Sequence, residues 1–491
     1  MTHAIARLLG WVVPSSRRGR VLAALMVALV AVGLLFTYRG GAEEAVGAED
    51  PRWAELAGAA VFGASHVIYE NLPGGVVAAA QRTARFRPLI DAAVEGTDVD
   101  PELVEALILL ESGGRPEVVV GKDPVNASGL TQILAGTATD FLDMRVDLAE
   151  SRRLFSEIDE ARRTGDRFAE ETLRVERREI DERFDPSKAI EGAVRYLVQA
   201  DDILGREDLA LASYHMGIGN LTSVLRAYSG EPNEAIDSLV RERAISYAQV
   251  YFDTAPAHNV EAWRELDALS DDSANYVWKL LASREIMRLY RDELSKLEEL
   301  ALRHGAKASA EEVLHPPDET EVFERLDDVR GATGAGDVSE LARDPDTTHY
   351  IVHRRLGELA PELDGRRRDY AVLRPDALGV LEYIAAEVFE LSGDETPLRV
   401  TSAARDLEYQ RLLVQRNDQA TRGYSLHTTG FAFDVLREYG SDEQAQAFQF
   451  VLERLSVLGL IAWVREPEAI HITVADGARD RIRDWLVQPT E

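Results

Sequence analysis

The chain has 491 residues, more than one hydrophobic core usually organises, so two or three domains are expected. Its 86 acidic against 55 basic side chains give a formal charge of -31, which argues against nucleic acid or anionic lipid as the main partner. There is no cysteine, so an exported form would carry no disulfide and each domain must be held by its own core.

Arg7, Arg17, Arg18 and Arg20 precede an unbroken apolar run over residues 21–36, and only Arg39 follows closely before Glu43 and Glu44. The basic side stays in the cytoplasm, which makes 1–20 a cytoplasmic tail and exports the rest. Residues 21–38 suit a transmembrane anchor or a signal peptide, with Val46-Gly47-Ala48 as a small-residue cleavage site for the second case. Residues 39–80 mix Gly, Ala and acidic side chains without a strong period, the composition of a tether with some helix.

A domain is expected over 81–303. Asp100 caps a predicted helix with Pro101 in its first turn and Val104, Leu107, Leu109 and Leu110 as its apolar body. Ser112, Gly113 and Gly114 stop it, so Glu111 stands at the rim of an apolar body. Burial raises a carboxyl pKa, and an acid still protonated near neutrality can protonate a leaving oxygen. Downstream come Ser128-Gly129-Leu130-Thr131-Gln132-Ile133, then Phe184-Asp185-Pro186, then Ser213-Tyr214-His215-Met216-Gly217-Ile218-Gly219. Residues 143–182 read as a charged helical hairpin turning at Thr164-Gly165-Asp166, either a lid or a solvated decoration. A second insertion covers 226–271, before Asn275-Tyr276-Val277-Trp278.

In this order the blocks resemble the Slt-type soluble lytic transglycosylases. The resemblance implies a mainly helical, lysozyme-like domain that cuts the MurNAc-GlcNAc bond of peptidoglycan without water, leaving a 1,6-anhydro end. Glu111 would act as acid and then base, since the sugar's own groups replace a second carboxylate. Ser112, Gly129, Gln132, Tyr214 and Tyr276 would line the glycan groove. His215 stands where that family usually has Asn.

Residues 304–345 turn acidic, with Pro316, Pro317 and a cluster of glycines, and are expected to be a linker. From 346 to 491 the pattern is mixed: helices over 375–391 and 406–417, strands over 398–402 and 432–436, a helix opened by Ser441 with Gln444, and β-rich stretches over 460–465 and 469–474. On this frame sit His427, Asp434 and His471, a three-ligand set that leaves a zinc position for water, with Glu468 as the nearby base. With Val400 to Arg405 and Gln410, these residues resemble the VanY-like zinc D-Ala-D-Ala carboxypeptidases. The resemblance implies an α+β fold, Zn2+ as cofactor and Arg405 as the cation that steadies the substrate's carbonyl or carboxylate.

The sequence thus points to a multidomain, membrane-tethered periplasmic enzyme acting on the glycan strands and stem peptides of peptidoglycan, held at the inner membrane by its N-terminal helix. Carboxypeptidase and endopeptidase remain equally open for the second head. The alternatives are a non-catalytic peptidoglycan-binding scaffold, and a transglycosylase whose C-terminal domain is a degenerate regulator.

Overall fold

The computed structural model describes residues 50–269, 272–306, 310–342, 344–417 and 420–487. The tail and the anchor or signal segment expected over 1–38 lie outside the described residues, and no helix among the described residues is long and apolar enough to cross a membrane. The chain is mostly helical, with a small sheet region towards its C-terminus.

Helix α1 (Pro51–Asn71) starts where the Asp50 carboxylate accepts the Arg52 N–H at 2.9 Å, with Pro51 in the first turn, where a missing N–H costs nothing. It corrects the tether expected here. Ala57, Ala60, Val61 and Ile68 enter the helical core, whereas Leu56 and Ala59 enter the C-terminal core. The small residues that resemble a linker in composition serve close packing instead: a β-carbon on Gly63 would stand 2.1 Å from the Val457 carbonyl oxygen.

Helix α2 (Pro101–Ser112) forms as its sequence dictates, with Asp100 accepting the Glu102 N–H at 2.8 Å and Gly113 closing it in the left-handed region at φ 58°. The charged insertion is a hairpin of α3 (Leu148–Thr164) and α4 (Arg167–Ile180), turning at Gly165. Arg178 of α4 pairs with Glu117 at 3.2 Å and Arg152 of α3 with Asp123 at 2.8 Å, so the hairpin braces the loop that follows α2. Helices α5 (Pro186–Leu204) and α6 (Glu207–Met216) follow, and the 226–271 insertion folds into the helices Ile236–Arg243, Tyr247–Phe252 and Val260–Asp267. Helix α7 (Tyr276–Asp292) then packs along α2 and α1.

The expected linker is also corrected. Its residues form α8 (Ala310–Leu314), a helix over Leu326–Ala335 and strand β1 (Ser339–Glu340). His315 donates to the Val474 carbonyl at 2.6 Å and stacks on Phe431, and the Phe323 N–H meets the Thr428 carbonyl at 2.7 Å. Proline and glycine content cannot register such long-range contacts, and the C-terminal core therefore draws on residues well before 346.

That core is a five-stranded sheet in the order β2-β4-β5-β7-β6, made of β2 (Tyr350–Val352), β4 (Leu398–Ser402), β5 (Ala432–Leu436), β6 (Ile461–Arg465) and β7 (Ala469–Val474). Strands β2 and β4 run parallel and the other pairs antiparallel, while β3 (Val372–Leu373) pairs with β1 apart from this sheet. Helices α9 (Pro375–Ser392) and α10 (Asp442–Val457) pack on it. The two cores share a seam in which Arg454 of α10 donates to the Tyr251 carbonyl at 2.6 Å and lies over the rings of Tyr251, Phe252 and Phe450.

Candidate active sites

Glu111 sits in the last turn of α2, partly buried, with Leu107, Ile108 and Leu109 fully buried behind it. The Tyr276 hydroxyl, at the start of α7, donates to Glu111 Oε1 at 2.6 Å. Burial raises the Glu111 carboxyl from its ordinary 4.5, the Tyr276 bond pulls it part of the way back, and the result is about 7. His215 stacks on the Tyr276 ring with centroids 5.1 Å apart, and Tyr214 lies beside it at 6.3 Å. The Tyr214 hydroxyl donates to the Thr131 carbonyl at 2.8 Å, tying this aromatic group to the turn over Gly129–Gln132.

Glu111, Tyr214 and Tyr276 are thus brought together, whereas three other expected groove residues are spent on the scaffold. The Ser112 hydroxyl is buried, donates to the Ile108 carbonyl at 3.1 Å and accepts the Arg115 N–H. Gln132 is buried at φ 52°, its amide nitrogen bonded to the carbonyls of Gly129 at 2.7 Å and Val118 at 3.2 Å. Gly129 is required by proximity, because a β-carbon there would come within 1.8 Å of the Arg183 carbonyl oxygen. Sequence motifs locate this turn correctly but do not separate side chains that build it from those that face a ligand.

Arg183, fully buried, is the residue that motif reading missed. It binds both Asp181 oxygens and the carbonyls of Pro124, Asn126 and Ile133, so one guanidinium spreads over the loop that carries the turn. Its signal in the sequence is slight: an Asp and an Arg two positions apart, just before Phe184-Asp185-Pro186.

In the C-terminal domain, sheet register builds the second site. Asp434 on β5 is opposite His471 on β7 and Ser402 on β4, which puts the three in one row. His427 arrives from the short turn Leu426–Thr429, closed by Gly430 at φ 80°. One ligand atom from each of His427, Asp434 and His471 lies within 4.8 Å of the others. Asp434 Oδ1 is 3.1 Å from His427 Nε2 and 2.7 Å from His471 Nδ1. His427 Nδ1 bonds the Ala403 carbonyl at 2.8 Å, which leaves Nε2 as its coordinating atom.

The charges respond to one another. Burial would raise Asp434, but His427 and His471 hold it well below the usual carboxylate range. Burial, with Arg405 nearby, lowers His427 to about 4, while hydrogen bonds to Asp434 and Glu311 outweigh burial at His471 and hold it near 10. A buried cluster with two imidazoles on one carboxylate oxygen fits a divalent cation of the zinc type.

Arg405 keeps its place beside the cluster. It donates to Ser402 Oγ at 2.6 Å and Gln410 Oε1 at 3.1 Å, and stands 3.4 Å from Asp434 Oδ2. Glu468, the expected base, lines the same cavity as Arg405 and Asp434. Its side chain is 69% exposed and pairs with Arg355. The tight β6–β7 hairpin, pinned where Arg437 donates to the Glu466 and Pro467 carbonyls, also brings the exposed Glu466 to this cavity. Glu466 lines both adjoining cavities, one of about 550 Å³ with Arg405 and Asp434, the other of about 580 Å³ with His427, Asp434 and His471. Its carboxyl is raised by burial and by Asp434. The E-x-x-H spacing and the hairpin thus bring two carboxylates, Glu468 and Glu466, to the cavity beside Asp434.

The family description Transglycosylase SLT domain matches residues 162–236, from the second half of the charged hairpin through α6 and Tyr214. The match supports an Slt-type domain in this chain, and with it a lytic transglycosylase role on peptidoglycan. Glu111 lies outside the matched residues.

Proposed function

We propose that Glu111 is the acid and base of a lytic transglycosylase that cleaves the MurNAc-GlcNAc bond and leaves 1,6-anhydro ends. The observation that carries this reading is a carboxyl raised to about 7, at the rim of an apolar helix, held by one tyrosine hydroxyl. Such a group is protonated often enough at neutral pH to hand a proton to the leaving oxygen, and afterwards basic enough to take one from the sugar's 6-hydroxyl. Tyr276 fixes the carboxyl, and Tyr214 fixes the turn beside it. Incubating sacculi with the wild type should release anhydro-muropeptides detectable by mass spectrometry, and Glu111→Gln should abolish them while still binding murein. Unchanged release by the variant would remove Glu111 from the chemistry; absence of anhydro ends with the wild type would favour the scaffold reading.

The C-terminal domain, on the same proposal, is a zinc peptidase acting on stem peptides. His427, Asp434 and His471 would hold the ion, which when bound supplies a Lewis acid and lowers the pKa of a water to near neutrality. Glu468 would accept a proton within the cavity, with Glu466 beside it, and Arg405 would meet the peptide's carbonyl or terminal carboxylate with two donors. One zinc per chain by elemental analysis, lost in His427→Ala, is the expected result. A metal-free wild type after zinc addition would leave the domain as a regulator.

A further inference from the structure

The expected linker reaches the candidate metal cluster itself. Glu311 of α8, only 9% exposed, places Oε1 at 3.1 Å from His471 Nε2, the ring nitrogen that faces away from Asp434. Thr473 Oγ1 donates to the same carboxylate oxygen at 3.1 Å. The segment is fastened just after this contact, by His315 to the Val474 carbonyl and by Phe323 to the Thr428 carbonyl, one residue beyond His427. A carboxylate on the outer nitrogen of a coordinating histidine fixes its tautomer and ring angle and makes the inner nitrogen a better donor, and loss of such partners typically weakens metal binding about 10–100-fold.

We propose that Glu311 is a positioning residue for the metal centre, so that the segment joining the two domains completes the zinc site of the second. This rests on the reading of His427, Asp434 and His471 as metal ligands. In the structure Glu311 and Asp434 flank the His471 imidazole from opposite nitrogens, one on the interdomain segment and one on the sheet.

The test uses the full chain and zinc alone, titrated against a chromogenic chelator, with cobalt spectra as a second readout of ligand geometry. Glu311→Ala should bind zinc about 10–100-fold more weakly than the wild type, with altered cobalt bands. Glu311→Gln, isosteric and still able to accept the His471 N–H, should lose less, and it decides the matter alone if the alanine variant fails to fold. Wild-type affinity and spectrum in a folded variant would overturn the proposal while leaving the metal site intact. A wild type with no zinc affinity would overturn both.

Discussion

Glu111 titrates at about 7 in the folded chain against an ordinary 4.5, so folding favours its protonated form. The stability this contributes is complete below 4.5 and drains away as pH rises to 7. Glu111→Gln should therefore melt like the wild type at pH 4 and above it at pH 8, by on the order of 1–3 kcal/mol. Equal melting of the two proteins at pH 8 would show that the carboxyl is not raised. Tyr276→Phe removes the contact that lowers Glu111, so the alkaline limb of glycan cleavage should move to higher pH while kcat falls. A limb that stays in place would separate the two residues. Glu111, His427, Asp434 and His471 are legible in the sequence because their chemistry is unusual in its surroundings: an acid ending an apolar helix, two imidazoles flanking an acid in short motifs. Ser112 and Gln132 are read too generously, since a polar side chain in a motif can equally satisfy backbone carbonyls.

At the scale of elements, the loop between α2 and α3 is held by a buried cation, Arg183. Arg183 has lost its water and recovered it in bonds to Asp181 and three carbonyls, and removing it leaves the Asp181 charge buried without its partner. Arg183→Ala should cost about 3–5 kcal/mol by chemical denaturation and disorder the turn over Gly129–Gln132. A loss under about 1 kcal/mol would mean that the carbonyls find other donors. The strands β4 and β7 and the helix caps at Asp100 and Ser441 are legible because local rules set them, alternation and capping above all. Helices α1 and α8 are not, since alanine, glycine and proline content reports chain stiffness and says nothing of what a segment packs against.

At the scale of the whole molecule, the seam through α1 and α10 joins two cores that composition alone would separate by flexible segments. Gly63 lies against the Val457 backbone, and Arg454 is half-buried among rings from both sides. Calorimetry of the wild type should give one cooperative transition. Gly63→Val, which forces the backbones apart, should split it in two with the metal affinity of the second domain reduced in step; a single transition at the wild-type temperature would show that the seam yields without cost. Because Leu56 and Ala59 of α1 belong to one core and Ala57 and Ala60 to the other, neither half is a portable cassette. A recombination that exchanged either half would have to bring the shared helix along, and the span between the two mouths is set by a strut rather than by a leash.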